Sequence, residues 1–201
     1  MDTIKLHGLP RSGTNFLQKV LEANFFVRVC AQRKHFPAQY EVEQRVFITK
    51  HVVDWVLSFY EFAVKTKLYT GRTEWAEYLR SGLAPQFGVR NMWFANPAHV
   101  WNAYNHHYLN HKDILHIQWE MLLDETKRER VLEFVGDHCR LKKRGANWVF
   151  PPERIDPLGK STAEPFTPRE RASRYTDEQI AFVMGEANQQ LLERLRYRVR
   201  T

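Results

Sequence analysis

The chain is poor in cysteine and has no long hydrophobic run. Its 201 residues include only Cys30 and Cys139, which are too few for a disulfide framework and indicate a reducing compartment. No apolar segment approaches the length of a membrane span, and no basic-then-apolar signal segment opens the sequence. We therefore expect a cytoplasmic protein that does not enter the membrane.

The sequence also lacks internal repeats, low-complexity tracts and a recognisable domain linker. A chain of 201 residues is long enough for one domain with a real core, so we expect a single domain over residues 1–201. His106, His107 and His111 have no cysteine or carboxylate partners at a spacing that suits a metal site. The sequence therefore predicts no bound metal.

The charge balance is basic, because 30 Lys and Arg residues against 23 Asp and Glu residues give a net charge of +7. This charge suits an anionic ligand, a polyanionic acceptor or nucleic acid, and it cannot choose among them. A hydrophobic content of 43% argues against a disordered chain. No helix-turn-helix, zinc-finger or RNA-recognition pattern is evident, so a basic nucleic-acid-binding domain is the weaker alternative.

Short apolar runs alternate with segments of helical periodicity along the chain. Runs typical of strands lie at 4–7, 25–30, 45–49 and 114–118. Helical spacing is present at 14–24, 52–64, 73–79, 98–109, 125–135 and 176–195, with Gly136 as one stop signal and Thr176 as one N-cap. The order predicts an α/β fold with a mostly parallel central sheet covered by helices on both faces. Residues 140–174, rich in basic residues and proline, are expected to form a long, partly ordered loop.

The most informative stretch is the first junction between a strand and a helix. A short apolar run leads into a turn that contains Gly8 and Gly13, and a helical pattern begins at Thr14. Glycines allow left-handed backbone angles, so the N–H groups of the turn and of the first helical turn can point at one anion. The sequence predicts a phosphate-binding loop here.

The spacing Gly8-x4-Gly13 also matches the frame of a nucleotide P-loop. Thr14 and Asn15, however, stand where that motif has lysine followed by serine or threonine. Because the loop lacks that lysine and has no assured hydroxyl at the position that binds magnesium, transfer of a γ-phosphate is poorly supported. A P-loop nucleotide or small-molecule kinase remains the alternative, and the basic residue of this loop is Arg11.

The segment 8–14, Gly-Leu-Pro-Arg-Ser-Gly-Thr, resembles a loop of the sulfotransferases that use 3′-phosphoadenosine 5′-phosphosulfate (PAPS). In that family the loop reads Pro-Lys/Arg-Ser-Gly-Thr and binds the 5′-phosphosulfate. The resemblance implies a P-loop-like sulfotransferase fold, PAPS as the sulfuryl donor, and electrostatic stabilisation of the leaving phosphate by Arg11, which cannot donate a proton at ordinary pH. The implied 5′-phosphate ligands are Pro10, Arg11, Ser12, Gly13, Thr14 and Asn15.

Residues 50–62 resemble the family's 3′-phosphate element, Arg-Asn-Pro-x-Asp-x-x-x-Ser-Tyr-Tyr-x-Phe. The register holds at Lys50, Asp54 and Ser58, which would share one face of a helix. The resemblance implies that Lys50 and Ser58 bind the 3′-phosphate. A lysine replaces the usual arginine and cannot make a two-pronged contact, which predicts weaker selection for that phosphate.

Two further segments resemble the family. Residues 33–37, Arg-Lys-His-Phe-Pro, are similar to a Lys-Thr-His-x-Pro segment whose histidine is the general base, so His35 is expected to take the proton of the attacking hydroxyl or amine. Residues 114–122 resemble a strand that ends in Tyr-Glu-Asp-Leu, so Trp119 is expected to stack on adenine. A solvated surface histidine and a core tryptophan are the alternatives.

The basic segment 141–148 resembles a late Arg-Lys-Gly-x-x-Gly-Asp-Trp loop that closes over the 3′-phosphate in the family, although it lacks the second glycine. Together the resemblances imply in-line sulfuryl transfer from PAPS to a hydroxyl or amine of a small-molecule or glycan acceptor. No nucleic acid, metal or membrane is expected as a partner. The acceptor wall is expected within residues 65–97 and 140–175.

Overall fold

Four strands form one parallel sheet in the computed structural model. The model describes residues 2–30, 34–35, 44–65, 74–82, 93–150, 153–155, 161–165 and 175–197. The strands are β1 Asp2–His7, β2 Val27–Cys30, β3 Arg45–Thr49 and β4 Ile114–Gln118, in the order β2-β1-β3-β4. Each neighbouring pair is parallel. The predicted α/β class is confirmed.

The helices and a small hairpin complete the described part of the chain. The helices are α1 Thr14–Asn24, α2 Val52–Lys65, α3 Trp75–Leu79, α4 Pro97–Leu109, α5 Trp119–Leu123, α6 Arg128–His138, α7 Asp177–Glu186 and α8 Gln189–Arg194. An antiparallel pair, β5 Glu153–Ile155 and β6 Ser161–Pro165, lies in the segment that was predicted to be a loop. None of the helices in the described ranges is long and apolar enough to cross a lipid bilayer.

The sheet is buried on both faces. All five residues of β3 are buried, and successive side chains of a strand point to opposite faces. Val46 and Ile48 contribute to a core that contains residues of α1 and α6. Phe47 contributes to a second core that contains residues of α2, α4, α7 and α8. Helices therefore cover both faces, as the alternation of elements predicts.

Gly136 does not end a helix, contrary to the prediction. It lies inside α6, where an added Cβ would come 2.8 Å from Phe25 Cε1. The glycine therefore allows α6 to pack closely against Phe25. In the sequence, a glycine that close helix packing requires looks the same as a glycine that ends a helix.

The helix predicted over 176–195 is divided into α7 and α8. Thr176 caps α7 as predicted, in a capping box with Gln179. The backbone becomes extended at Ala187, and the side chain of Asn188 accepts a 3.1 Å hydrogen bond from the N–H of Leu191 to start α8. The apolar spacing continues across this break, so the periodicity alone does not reveal it.

The strand order puts a topological switch point at the carboxyl ends of β1 and β3, and the region between these two strand ends is called the crevice below. The chain leaves β1, forms β2 on one side of it, and then crosses to form β3 on its other side. Such a switch in direction opens a cleft where the two central strands end, and this cleft is where α/β proteins bind ligands. Both predicted phosphate elements follow these two strands.

Candidate functional site

The first side of the crevice is the loop of residues 8–13 between β1 and α1, which is called the phosphate loop below after the role predicted for it. Arg11 and Gly13 adopt left-handed backbone angles, with φ values of 70° and 91°. The N–H of Ser12 donates a 3.1 Å hydrogen bond to the carbonyl of Leu9 and closes the turn. Gly13 is the N-cap residue of α1 and has no side chain that could satisfy the first-turn N–H groups. These donors, at the positive end of a helix, suit an anion.

Gly8 allows this loop to approach β3 closely. An added Cβ at Gly8 would lie 2.7 Å from the carbonyl oxygen of Ile48 and 2.8 Å from Cγ2 of Thr14. Any larger residue would push the backbone of the loop away from the end of β3. The glycine therefore holds the loop against the neighbouring strand.

The second side of the crevice is Lys50, which follows β3. Lys50 is buried, and its carbonyl accepts a 2.8 Å hydrogen bond from Nε1 of Trp101. Its Nζ lies 5.2 Å from the ring centre of Trp119, and an added Cβ at Gly13 would lie 2.1 Å from Cε3 of the same indole. Trp119 therefore contacts both the phosphate loop and Lys50, and it brings the ends of β1, β3 and β4 together.

The predicted role of Trp119 stays a prediction. The indole is 9% exposed and packs edge-on against Phe16, with ring centres 5.4 Å apart. This arrangement is typical of a core aromatic residue, and it leaves little ring surface open to a purine.

The prediction that Lys50 lies on one helix with Asp54 and Ser58 is wrong. The helix α2 begins at Val52, so Lys50 belongs to the turn that precedes it. The strand β3 continues to Thr49 and leaves only two residues for the turn. The three residues therefore do not form one helical face.

Ser58 lies on the side of α2 that faces the phosphate loop. Nε1 of Trp55 donates a 2.8 Å hydrogen bond to the carbonyl of Pro10, and the guanidinium carbon of Arg11 lies 5.6 Å from the ring centre of Phe62. Residues 55, 58 and 62 share one helical face. The structure thus brings the buried Ser58 close to the loop, although the sequence grouped it with Lys50.

His35 joins the site through the backbone of the phosphate loop. Its Nδ1 lies 2.7 Å from the carbonyl oxygen of Gly8. A carbonyl can only accept, so Nδ1 carries the proton and Nε2 keeps its lone pair. The pKa of His35 is lowered to about 4, chiefly by burial; the bond to Gly8 opposes this shift, and the Lys34 ammonium adds to it. His35 is therefore a neutral base at pH 7. Residues 33, 36 and 37 of the same segment lie outside the described residues.

Lys34 is a site residue that the sequence reasoning missed. Its Nζ donates a hydrogen bond to the Asn15 side chain, and its carbonyl accepts a 3.0 Å hydrogen bond from the N–H of Gly8. Burial lowers the pKa of Lys34. A second cation therefore reaches the loop from a distant segment. Its position beside His35 was the only sequence signal.

A partly buried carboxyl group behind Lys50 was also missed. Glu120 accepts a 2.8 Å hydrogen bond from the N–H of His51 and a 3.0 Å hydrogen bond from the hydroxyl of Tyr197. Burial raises the pKa values of both Glu120 and Tyr197. The two residues are 77 positions apart, so no local pattern could have predicted their contact.

The basic segment 141–148 lies at the opposite end of α1 from the phosphate loop. The N–H of Phe26 donates to the carbonyl of Lys142, and the N–H of Arg144 donates to the carbonyl of Asn24, both at 2.8 Å. Eleven helical residues separate this end from the loop, a distance of about 16 Å. The segment therefore does not close over the crevice, contrary to the resemblance. The resemblance of segment 141–148 to the family's loop rested on its composition and not on its position in the chain.

The described residues contain no group of three or more His, Cys, Asp and Glu side chains that could hold a metal ion. The polar side chains that reach the crevice are hydroxyls, an amide, cations and the neutral imidazole of His35, and the carboxyl group of Glu120 lies behind Lys50. Their chemistry suits an oxyanion.

The structure is that of an α/β protein with a glycine-containing loop before α1 and a buried lysine at the switch point of a parallel sheet. No protein-family model, no curated protein and no solved structure matches the chain.

Proposed function

We propose that this protein is a sulfotransferase that moves a sulfuryl group from PAPS to a hydroxyl or amine acceptor. The observation that supports this most is that the phosphate loop and Lys50 follow adjacent parallel strands, where Trp119 contacts both. A nucleotide with phosphates at two ends needs two anion sites in one cleft. The strand order and the helices on both faces are compatible with a P-loop-like sulfotransferase fold.

The phosphate loop would hold the 5′-phosphosulfate. Its amides and the hydroxyls of Ser12 and Thr14 supply hydrogen-bond donors, and the positive end of α1 favours the charge. As the bond between sulfur and the bridging oxygen breaks, negative charge grows on the 5′-phosphate. Arg11 stabilises that charge without giving up a proton, and Lys34 adds a second cation nearby.

His35 would serve as the general base. The acceptor oxygen or nitrogen attacks sulfur in line with the leaving 5′-phosphate, and its proton passes to Nε2 of His35. The products are the sulfated acceptor and adenosine 3′,5′-bisphosphate. The bond from Nδ1 to Gly8 supports this role, because it fixes the tautomer that a base requires.

Lys50 would pair with the 3′-phosphate, and Ser58 would add a hydroxyl from the face of α2 beside Arg11. A lysine acts as a point charge in this role. The proposed acceptor is a small molecule or a glycan, and it enters on the His35 side of the loop.

A P-loop kinase is the second candidate, because Lys34 brings an ammonium group to Asn15. That lysine reaches the loop from outside it, whereas a nucleotide P-loop carries its lysine within the motif. A kinase would require ATP and magnesium, and the proposed sulfotransferase would require neither.

A thermal-shift series separates the two candidates. The protein is melted with PAPS, adenosine 3′,5′-bisphosphate, AMP, and ATP with and without magnesium. PAPS and the bisphosphate are expected to raise Tm at concentrations that leave AMP and ATP without effect, since a ligand at 100 times its Kd adds about 2.7 kcal/mol of stability. Stabilisation by magnesium-ATP with indifference to the bisphosphate would overturn the proposal in favour of the kinase.

A further inference from the structure

Left-handed backbone angles occur at three non-glycine residues in the described part of the chain. They are Arg11, Arg140 and Arg196, with φ values of 70°, 51° and 55°. This conformation is unfavourable for any residue that carries a Cβ. Each of the three arginines therefore requires a physical reason for its backbone angle.

Helix termination explains two of the three. Arg140 lies just beyond α6, and the N–H of the next residue, Leu141, donates a 2.8 Å hydrogen bond to the carbonyl of Gly136 inside that helix. Arg196 lies just beyond α8, and the N–H of Tyr197 donates the equivalent bond, at 2.9 Å. A left-handed residue commonly ends a helix in this way.

Arg11 has a different environment, because it belongs to a turn that precedes a helix. The N–H of Ser12 closes this turn on the carbonyl of Leu9, so Pro10 and Arg11 occupy the two central positions. A positive φ that follows proline in a turn is typical of type II, and glycine is favoured at that position. An arginine there, at the edge of a candidate site, indicates that its side chain has a function.

One face of α2 holds this turn. Nε1 of the buried Trp55 donates a 2.8 Å hydrogen bond to the carbonyl of Pro10. On the same face, the ring centre of Phe62 lies 5.6 Å from the guanidinium carbon of Arg11, within the range of a cation–π contact. Neighbouring rings hold Phe62 in turn, because Trp55 stacks on Phe59 at 5.1 Å and Phe59 contacts Phe62 at 6.4 Å between ring centres. The helix thus fixes both the backbone before Arg11 and the charged end of its side chain.

We propose that Phe62 is a positioning residue for Arg11, which it holds on the α2 side of the phosphate loop before a nucleotide binds. The catalytic consequence rests on the proposed function, in which Arg11 stabilises the charge of the leaving 5′-phosphate. A side chain that is already fixed loses less conformational freedom on binding than a mobile one. Leucine at position 62 would supply apolar volume without the ring that attracts a cation.

The backbone strain is tested by comparing Arg11→Gly with Arg11→Ala. Both variants remove the charge and the ring contact, and only glycine accepts φ 70° without strain. The glycine variant should therefore melt about 2 °C or more above the alanine variant. The opposite order, which is normal where φ is negative, would contradict the strain on which the proposal depends.

The contact with Phe62 is tested without any nucleotide. Phenylglyoxal modifies guanidinium groups, and peptide mapping by mass spectrometry gives the rate at Arg11. Phe62→Leu should raise this rate about threefold, the factor that corresponds to losing a cation–π contact at a partly exposed site, whereas Phe62→Tyr should keep the wild-type rate. Phe182→Leu is the matched control, because Phe182 makes the same kind of contact with Arg80, at 4.7 Å. Equal rates in the wild type and Phe62→Leu would overturn the proposal.

The consequence for binding is measured with two nucleotides that differ only in the 5′-phosphate. Phe62→Leu should raise the Kd of adenosine 3′,5′-bisphosphate about threefold and leave the Kd of adenosine 3′-phosphate unchanged. In the Arg11→Ala background the same substitution should have no further effect, since the group that Phe62 positions is gone. Equal weakening of both nucleotides would mean a structural role alone, and tighter binding of the bisphosphate would mean that the ring holds Arg11 away from the site. Either result would overturn the proposal.

The two proposals fail in different measurements. A wild-type protein that does not bind the bisphosphate would count against the sulfotransferase. The modification rates at Arg11 would still decide whether Phe62 positions that residue.

Discussion

The N–H of His51 donates a 2.8 Å hydrogen bond to the carboxylate of Glu120, which joins the turn after β3 to the helix after β4. The hydroxyl of Tyr197 donates to the other carboxylate oxygen at 3.0 Å. The residue before His51 is Lys50. A partly buried carboxyl group, held by the hydroxyl of Tyr197, therefore fixes the backbone that carries the proposed 3′-phosphate ligand.

Tyr197→Phe should destabilise the protein by about 1 kcal/mol, because an oxygen of a partly buried carboxyl group loses its donor. The displaced turn should also weaken bisphosphate binding. Urea denaturation and calorimetric titration measure the two effects. Glu120→Gln keeps an acceptor for His51 and should retain more affinity than Glu120→Ala. Wild-type stability in Tyr197→Phe would contradict this account.

Gly13→Ala should be strongly destabilising for two reasons. The residue adopts φ 91°, which costs a non-glycine residue about 1 kcal/mol or more, and the new Cβ would meet the Trp119 ring at 2.1 Å. In the double variant Gly13→Ala/Trp119→Ala only the second cost disappears. The cycle should therefore show a coupling free energy of about 1 kcal/mol or more. Additive effects would mean that the indole does not restrict position 13.

Arg11→Ala, Lys50→Ala and Ser58→Ala should each weaken binding of adenosine 3′,5′-bisphosphate. The two cation deletions should raise Kd about tenfold or more, since charge-assisted bonds contribute about 1.5–3 kcal/mol each, and Ser58→Ala should have the smaller effect. Lys19→Ala, on the exposed side of α1, is the matched control. Titration calorimetry gives the four values. Unchanged affinity in all three site variants would remove the assigned roles.

His35→Ala should spare bisphosphate binding and abolish sulfuryl transfer. With a pKa lowered to about 4, neutral His35 stays available as pH falls, so kcat/KM should decline only as pH approaches that value, well below the ordinary 6.5. Initial rates in buffers of constant ionic strength measure this profile. An acid limb centred near 6.5 would mean that another, solvated histidine is the base.

The protein should lose stability in mild acid. Burial lowers the pKa values of His7, His35 and His116 to about 4, so between pH 6.5 and 4 the unfolded chain binds protons that the folded chain does not. The free energy of unfolding then rises with pH in this window and is lost as pH falls through it. Urea denaturation at several pH values measures the slope. His7→Gln should reduce that slope, and an unchanged slope would show that His7 is accessible to solvent in the fold.

Local chemistry could be predicted from the sequence where a few neighbouring residues decide the outcome. The strand, glycine turn and helix of residues 2–24 form as predicted, and so does the Thr176 cap. Backbone preferences, caps and apolar spacing act over a few residues. The α/β class followed from the alternation of such segments.

Contacts between distant segments were decided by the tertiary structure. The strand order brings Gly13, Lys50 and Trp119 close together in space. The last described residues of the chain bring Tyr197 into contact with Glu120. The basic segment 141–148 lies at the end of α1 opposite to the one its composition suggested, because Asn24 anchors it there. The sequence by itself determined the glycine turn between β1 and α1 and the predominance of cationic residues in the chain. Which side chains share the crevice depends on long-range packing, for which no local pattern carries a signal.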